Sequence, residues 1–269
     1  MTDLSEHPAA SQADFGIFVE RLLDWAREEP RVIGLVLMGS TAERHRVDEW
    51  SDHDFAVVTV PGEQEAFRRD LSWLPGHTST AATGREWHNG FKAVYDDGHL
   101  IEFAIVDRDE LLTFAANAYD VVYDAGDVGS WMRIVHSRTA TPPCTAPVDA
   151  VAVFFAQILV GVGRTRRGEV LSGAEVIRSE ATATLIDLVS ARLEPADPGS
   201  RDNLDRRRRF EKSFPDAARR IGDALDGSPE GAARQLLTIA DDLLAPGWSA
   251  YQARGARAIR VRLGWPEPS

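Results

Sequence analysis

The chain has 269 residues, 43% of them hydrophobic, which is enough for one or two packed domains. It carries a single cysteine, Cys144, so no disulfide framework can form and a reducing cytoplasm is expected. Its net charge of −12 is unevenly placed: residues 1–145 hold 12 Lys+Arg against 25 Asp+Glu, net −13, and residues 146–269 hold 18 against 17, net +1. Sequence-independent affinity for nucleic acid comes from cationic patches, so an acidic first half argues against a polynucleotide partner and favours a small, cationic one.

The opening Met1 to His7 has neither a basic start nor an apolar stretch, and no signal peptide is expected. Ser11-x-x-Asp14 reads as a capping box before Phe15, Phe18, Val19, Leu22, Leu23 and Trp25, whose spacing predicts an amphipathic helix ending near Glu29-Pro30. Residues 32–38 form an apolar run that reads as a buried strand, turning at Gly39-Ser40 into a short helical stretch. Phe55 to Val60 is a second β-branched strand, stopped by Pro61-Gly62, and 63–73 reads as helix. Phe91 to Tyr95 and Leu100 to Val106 flank Asp97-Gly98, a strong hairpin signal, and 109–116 reads as helix. The order predicts an N-terminal domain, 1–140, built around a mixed sheet with flanking helices.

A proline-rich stretch, Thr139 to Pro147, suits neither a helix nor a central strand and reads as a linker that contains Cys144. Beyond it the pattern is helical: 149–166, then a helix opened by the capping box Ser172-x-x-Glu175 and running to Leu193, then 202–213, 215–226, 229–244 and 248–263. This predicts a second domain, 148–269, as an all-α bundle, and an α+β chain as a whole. The longest uncharged run, 150–163, is about 14 residues, short of the roughly 18 that suggest a membrane span.

The chemistry concentrates at residues 38–54 and 102. Gly39-Ser40 ends one strand, and Asp52-x-Asp54 begins the next. Carboxylates at i and i+2 project to one side of a strand, close enough to hold a divalent cation. Mg²⁺ takes carboxylate and phosphate oxygens at about 2.1 Å, so such a pair can hold a nucleoside triphosphate, and backbone N–H groups at the Gly-Ser turn favour phosphate oxygens. In His99-Leu-Ile-Glu-Phe-Ala-Ile-Val106, Glu102 shares a face with Leu100, Ala104 and Val106. An acid among apolar neighbours needs a compensating partner, and nearby metal ions would supply one. Each of these signals has an ordinary counterpart, a solvated turn for 51–54 and a solvent-facing edge acid for Glu102; it is their combination that points to catalysis.

This combination, Gly-Ser, then Asp-x-Asp, then a later strand carboxylate, resembles the polymerase-beta-like nucleotidyltransferase superfamily. Met38-Gly-Ser40, Ser51-Asp-His-Asp54, Gly98-His-Leu-Ile-Glu102-Phe and Arg167-Gly168-Glu169 together most closely resemble the larger lincosamide nucleotidyltransferases and, more distantly, the aminoglycoside ones. The resemblance implies a nucleotidyltransferase-fold domain, a helical substrate-binding domain that closes over the acceptor, dependence on Mg²⁺, ATP as donor, and a homodimer. It implies transfer of AMP from ATP to a hydroxyl of a small molecule, a lincosamide first. Asp52 and Asp54 are the expected metal ligands, and they share the catalytic role with Glu102, which is base, third metal ligand or both. Gly39 and Ser40 are expected to hold the terminal phosphates. Other readings are an aminoglycoside, metabolite or protein hydroxyl as acceptor, and a catalytically silent nucleotide-binding module.

Arg164, Arg166 and Arg167 could reach a triphosphate by bidentate hydrogen bonding, Arg164 and Arg167 being the candidates carried forward; equally they complement the end of a helix. Arg206 to Arg209 reads as the solvated face of a helix. His53, between the two aspartates, is expected to point the opposite way and serve structure. Trp50, Trp87 and His88 could stack on a base or acceptor ring, although tryptophan more often simply packs. No membrane or nucleic-acid partner is expected.

Overall fold

The computed structural model describes residues 12–138, 146–200, 202 and 204–266. The Ser11 half of the first capping box and nearly all of the proline-rich stretch, Cys144 included, lie outside the described residues. The chain forms two compact units, residues 1–140 and 141–269.

In the first unit, α1 (Gln12–Glu28) places Phe15, Val19, Leu22 and Ala26 on one buried stripe at helical spacing. It is followed by β1 (Val32–Met38), a single helical turn α2 (Gly39–Ala42) and β2 (His53–Thr59). Next come α3 (Gln64–Arg69), β3 (Thr80–Arg85), β4 (Gly90–Tyr95), β5 (Leu100–Val106), α4 (Arg108–Leu111), β6 (Tyr119–Asp124) and α5 (Val128–Arg138). The six strands form one sheet in the order β3-β4-β5-β2-β1-β6. Among the described residues only β2 and β5 pair in parallel, so the sheet is mixed, as expected.

Alternation along the strands feeds two cores. Leu35, Leu37, Phe55, Val57, Ile101 and Ile105 pack with α1 on one face; Val36, Ala56, Val58, Ala104 and Val106 pack with Met132 and Val135 of α5 on the other. The hairpin closes as read: Tyr95 N donates to His99 O at 2.9 Å, and Gly98 takes φ 84°.

Three parts of this unit depart from the sequence expectation. The helix expected over 63–73 stops at Arg69, because the Asp70 carboxylate accepts from Ser72 N at 2.9 Å and turns the chain. The helix expected over 109–116 is the short α4, opened by a reciprocal Asp107–Glu110 capping box and closed when Phe114 N donates to Leu111 O at 3.0 Å. Strands β3 and β6 and helix α5 were not foreseen.

The second unit is helical: α6 (Pro147–Arg166), α7 (Val170–Glu175), a π-helical stretch Val176–Ala181 continuing into α8 (Thr182–Arg192), α9 (Phe210–Ser213), α10 (Pro215–Leu225), α11 (Pro229–Leu244) and α12 (Ala253–Leu263). By length and composition α6 could cross a membrane. In this unit it is the central helix, with Val151, Phe154, Ile158 and Val162 buried against α8 and α11. Its approach to the π-helical stretch is close enough that a Cβ on Gly161 would lie 2.5 Å from Ile177 Cγ1. The expected Ser172–Glu175 capping box does not form: the helix already begins at Val170, and Ser172 Oγ accepts from Arg164 Nη1 at 2.8 Å. The helix expected over 202–213 shrinks to α9, because the Asp202 carboxylate accepts from Leu204 N at 2.9 Å and Asp205 N at 3.3 Å and organises turns instead. Arg206 to Arg209 therefore belong to turns, not to a helix face. Arg206 pairs with Asp187, and Arg209, at φ 63°, pairs with the buried Asp202 at 2.6 Å. The helix expected over 248–263 starts only at Ala253.

Candidate active site

Register places the carboxylates. In the parallel β2–β5 pair Asp54 lies opposite Glu102, and in the antiparallel β4–β5 pair Glu102 lies opposite Lys92. Residues directly opposite one another share a face of the sheet, with neighbouring strands about 4.8 Å apart. Asp54, Glu102 and Lys92 therefore form a row at the end of the core that Ala56 and Ala104 continue. The row opens on a cleft of about 400 Å³ lined by Met38, Asp54, Glu86, His88, Glu102 and Phe114 among others. That volume falls in the range of small-molecule sites.

The Gly39 turn abuts this row. Gly39 has φ 56°, where a side chain is strained, and a Cβ built there would stand 3.4 Å from Asp54 Oδ2. The single turn α2 fixes the start of β2 through Thr41, which is 1% exposed. Thr41 Oγ1 accepts from Asp54 N at 2.8 Å and donates to Asp52 O at 3.3 Å, so one hydroxyl ties down both ends of the Asp-x-Asp segment. The Gly39 amide is itself engaged with Ala118 O at 3.2 Å, and Ser40 is half-buried on the turn.

His53 points away from the row, as expected. It is 2% exposed, stacked on Phe15 with ring centres 3.7 Å apart. Its Nε2 lies 3.0 Å from Phe15 O, and since a carbonyl only accepts, Nε2 carries the proton. Nδ1 then accepts from His99 Nε2 at 2.6 Å. Burial pushes His53 down to about 4, and burial also lowers His99.

Lys92 is the residue that sequence reasoning missed. Its ammonium pairs with the Glu102 carboxylate, both side chains being partly exposed. The counter-charge that Glu102 calls for is thus present in the protein. A signal for it existed: the Tyr95–His99 closure pairs residue 92 with residue 102, so hairpin arithmetic alone places Lys92 beside Glu102. The other partners of the row were also unforeseen: Thr41, and Glu86 in the cleft wall.

Of the aromatic candidates, His88 lines the cleft and Trp87 beside it is 94% exposed, their ring centres 5.2 Å apart. Trp50 is 86% exposed in the loop before β2. Arg164 and Arg167 belong to the helical unit, at the end of α6. There Arg164 donates to Ser172, and Arg167 Nε donates to Glu169 Oε1 at 3.0 Å. Arg166 is bound to Glu230 and to Leu263 O at 2.7 Å, a structural arrangement.

No protein-family model and no curated protein matches the chain. Solved structures similar to it include an aminoglycoside 6-adenyltransferase from Bacillus subtilis, at 12% identity over 96% of this chain and 93% of that one, with a TM-score of 0.30. They also include CdnC of E. coli MS115-1 with ATP, at 14% identity over 91% and 94%, TM-score 0.30. A third is the Bradyrhizobium diazoefficiens CD-NTase CdnG in complex with GTP, at 16% identity over 93% and 94%, TM-score 0.27. Likeness at this level does not define an activity.

Proposed function

We propose that the protein is a nucleotidyltransferase that moves AMP from ATP to a hydroxyl of a small molecule. The observation that carries the reading is the meeting of Asp54 and Glu102 in register on one sheet face, beside a glycine turn whose φ of 56° strains any side chain and at the edge of a cleft of about 400 Å³.

The donor set suits Mg²⁺. Among the described residues no three His, Cys, Asp or Glu side chains gather closely enough to hold an ion unaided. Mg²⁺ does not need such a cage, since it is held by one or two carboxylates together with substrate phosphates and water. Asp52 and Asp54 would hold it, with Gly39 leaving the space beside Asp54 Oδ2 for a phosphate. When bound, Mg²⁺ supplies the positive charge that neutralises the triphosphate and its departing pyrophosphate.

The chain's own residues do the rest. Thr41 fixes the aspartates, and Glu102, reached from the cleft, takes the proton of the acceptor hydroxyl. The acceptor oxygen forms its bond to the α-phosphorus, and the bond from that phosphorus to the bridging oxygen breaks, pyrophosphate leaving with the electron pair. Positioning and fixed charge contribute most of the acceleration. Within the sheet unit, Gly39 and Ser40 are the proposed nucleotide-binding residues.

The net charge of −13 on residues 1–145 favours a cationic acceptor, and we take an amine-bearing antibiotic, a lincosamide before an aminoglycoside, as the first class to test. Pyrophosphate release on adding acceptor to enzyme, ATP and Mg²⁺ tests the reading. Acceptor-dependent release that vanishes in Asp54→Asn supports it; release unchanged in that variant overturns it.

A further inference from the structure

The row of charges across β2, β5 and β4 holds one member that the reading above does not use. Lys92 is fixed opposite Glu102 by register, its ammonium on the Glu102 carboxylate, and Glu102 stands between it and Asp54 in the row. Resting on that reading, we propose that Lys92 is the resident second cation of the site: its ammonium stands beside Glu102 where a second divalent ion would otherwise be held, so one exchangeable ion, on Asp52 and Asp54, suffices.

The pairing of Lys92 with Glu102 in the row carries this. Two-metal sites keep their ions roughly 3.5–4 Å apart, which needs a carboxylate able to serve each ion. Here the second carboxylate is paired with an ammonium supplied by the fold. Lysine is a compact, strongly hydrated point charge, closer in character to a metal ion than the planar guanidinium is. Chain-wide the residue type is scarce, Lys92 and Lys212 against 28 arginines, so its use at this position is not compositional drift. The hydrogen bond to Glu102, with smaller contributions from the charges of Glu86 and Asp52, raises the Lys92 pKa above its ordinary value, so the ammonium stays charged. A divalent ion arriving at Glu102 would have to displace a like charge. Lys92 is a positioning residue in this role; it keeps its proton throughout, and the proton of the acceptor still goes to Glu102.

An ordinary cross-strand ion pair would contribute to stability and leave ion binding unchanged, which separates the two accounts. The experiment titrates Mn²⁺ by electron paramagnetic resonance into the full-length protein saturated with an α,β-methylene analogue of ATP. It compares wild type, Lys92→Met, Lys92→Arg and Asp54→Asn, with circular dichroism to confirm that each is folded. Methionine keeps an unbranched stem at a partly exposed position. The expected result is one Mn²⁺ per bound analogue in wild type and Lys92→Arg, and two in Lys92→Met. Two ions in wild type, or one in Lys92→Met, would overturn the proposal. Asp54→Asn should weaken Mn²⁺ binding at least tenfold. If it does while Lys92→Met still holds one ion, the resident-cation proposal alone fails; if Asp54→Asn binds as wild type does, the metal reading of the site fails with it.

Discussion

Thr41→Val removes one hydroxyl and nearly nothing else, and its consequence can be worked from two hydrogen bonds. Thr41 Oγ1 accepts from Asp54 N at 2.8 Å and donates to Asp52 O at 3.3 Å, and the residue is 1% exposed, so water cannot take its place without rearrangement. At about 0.5–1.5 kcal/mol for each bond, the variant loses about 1–3 kcal/mol locally, the larger part from leaving the Asp54 N–H without its acceptor. Each 1.4 kcal/mol is tenfold in an equilibrium, so the Asp54 amide should exchange with solvent roughly 5- to 150-fold faster. Nuclear magnetic resonance measurement of amide exchange reads this directly. The aspartates then hold their positions less tightly, and transfer should fall by about 10- to 100-fold, as expected when reacting groups are misplaced. Thr41→Ser keeps the hydroxyl and should restore both. Wild-type protection of Asp54 together with wild-type turnover in Thr41→Val would refute the idea that α2 anchors the aspartate pair.

Asp52→Asn or Asp54→Asn should abolish transfer with the fold intact, since charge is removed at nearly constant volume; chelation should stop the wild-type reaction and added Mg²⁺ restore it. Glu102→Gln should cut the transfer rate by about two orders of magnitude or more with ATP affinity little changed, whereas an unchanged rate would remove Glu102 from the site. Stability should depend on pH through His53, which is buried neutral at about 4 against about 6.5 when unfolded. Between those values the unfolded chain binds the extra proton, so stability is full above pH 6.5 and falls as pH drops towards 4, by roughly 3 kcal/mol in all. Denaturant titrations at pH 7 and 4.5 on wild type and His53→Phe check this, the variant showing the flatter profile. Residues 1–140 expressed alone should fold, because both cores of the sheet are built within them; a fragment without cooperative unfolding would contradict that.

What could be read from the sequence follows from how local each determinant is. Strands β1, β2, β4 and β5 announce themselves by apolar β-branched runs and the Asp97-Gly98 turn; they carry Asp54 and Glu102, and β1 leads directly into Gly39. Strand β6 does not: Tyr119-Asp-Val-Val-Tyr-Asp is an edge strand with no fully buried residue, so its pairing with β1 leaves no clean alternation. Helix ends were misjudged where one carboxylate captured the backbone, as at Asp70 and Asp202, because apolar periodicity does not register the competition of an Asp side chain for nearby backbone N–H groups. Ser172 looked like a cap and is not, because the turn at Gly168, φ 87°, starts α7 earlier. Thr41 and Lys92 could not be picked out by composition or periodicity, since their roles come from register: a hydroxyl under the next strand, and an ammonium one strand over from an acid.

The central claim is that Asp52, Asp54 and Glu102 transfer a nucleotide to a small hydroxylated acceptor. Mass spectrometry of lincosamide and aminoglycoside panels, incubated with the full-length protein, ATP and Mg²⁺, tests it most directly. The account predicts a product heavier than its acceptor by one adenylyl group, formed by wild type and absent with Asp54→Asn. An adduct formed equally by Asp54→Asn, or no adduct on any acceptor from folded, ATP-binding wild type, would contradict it.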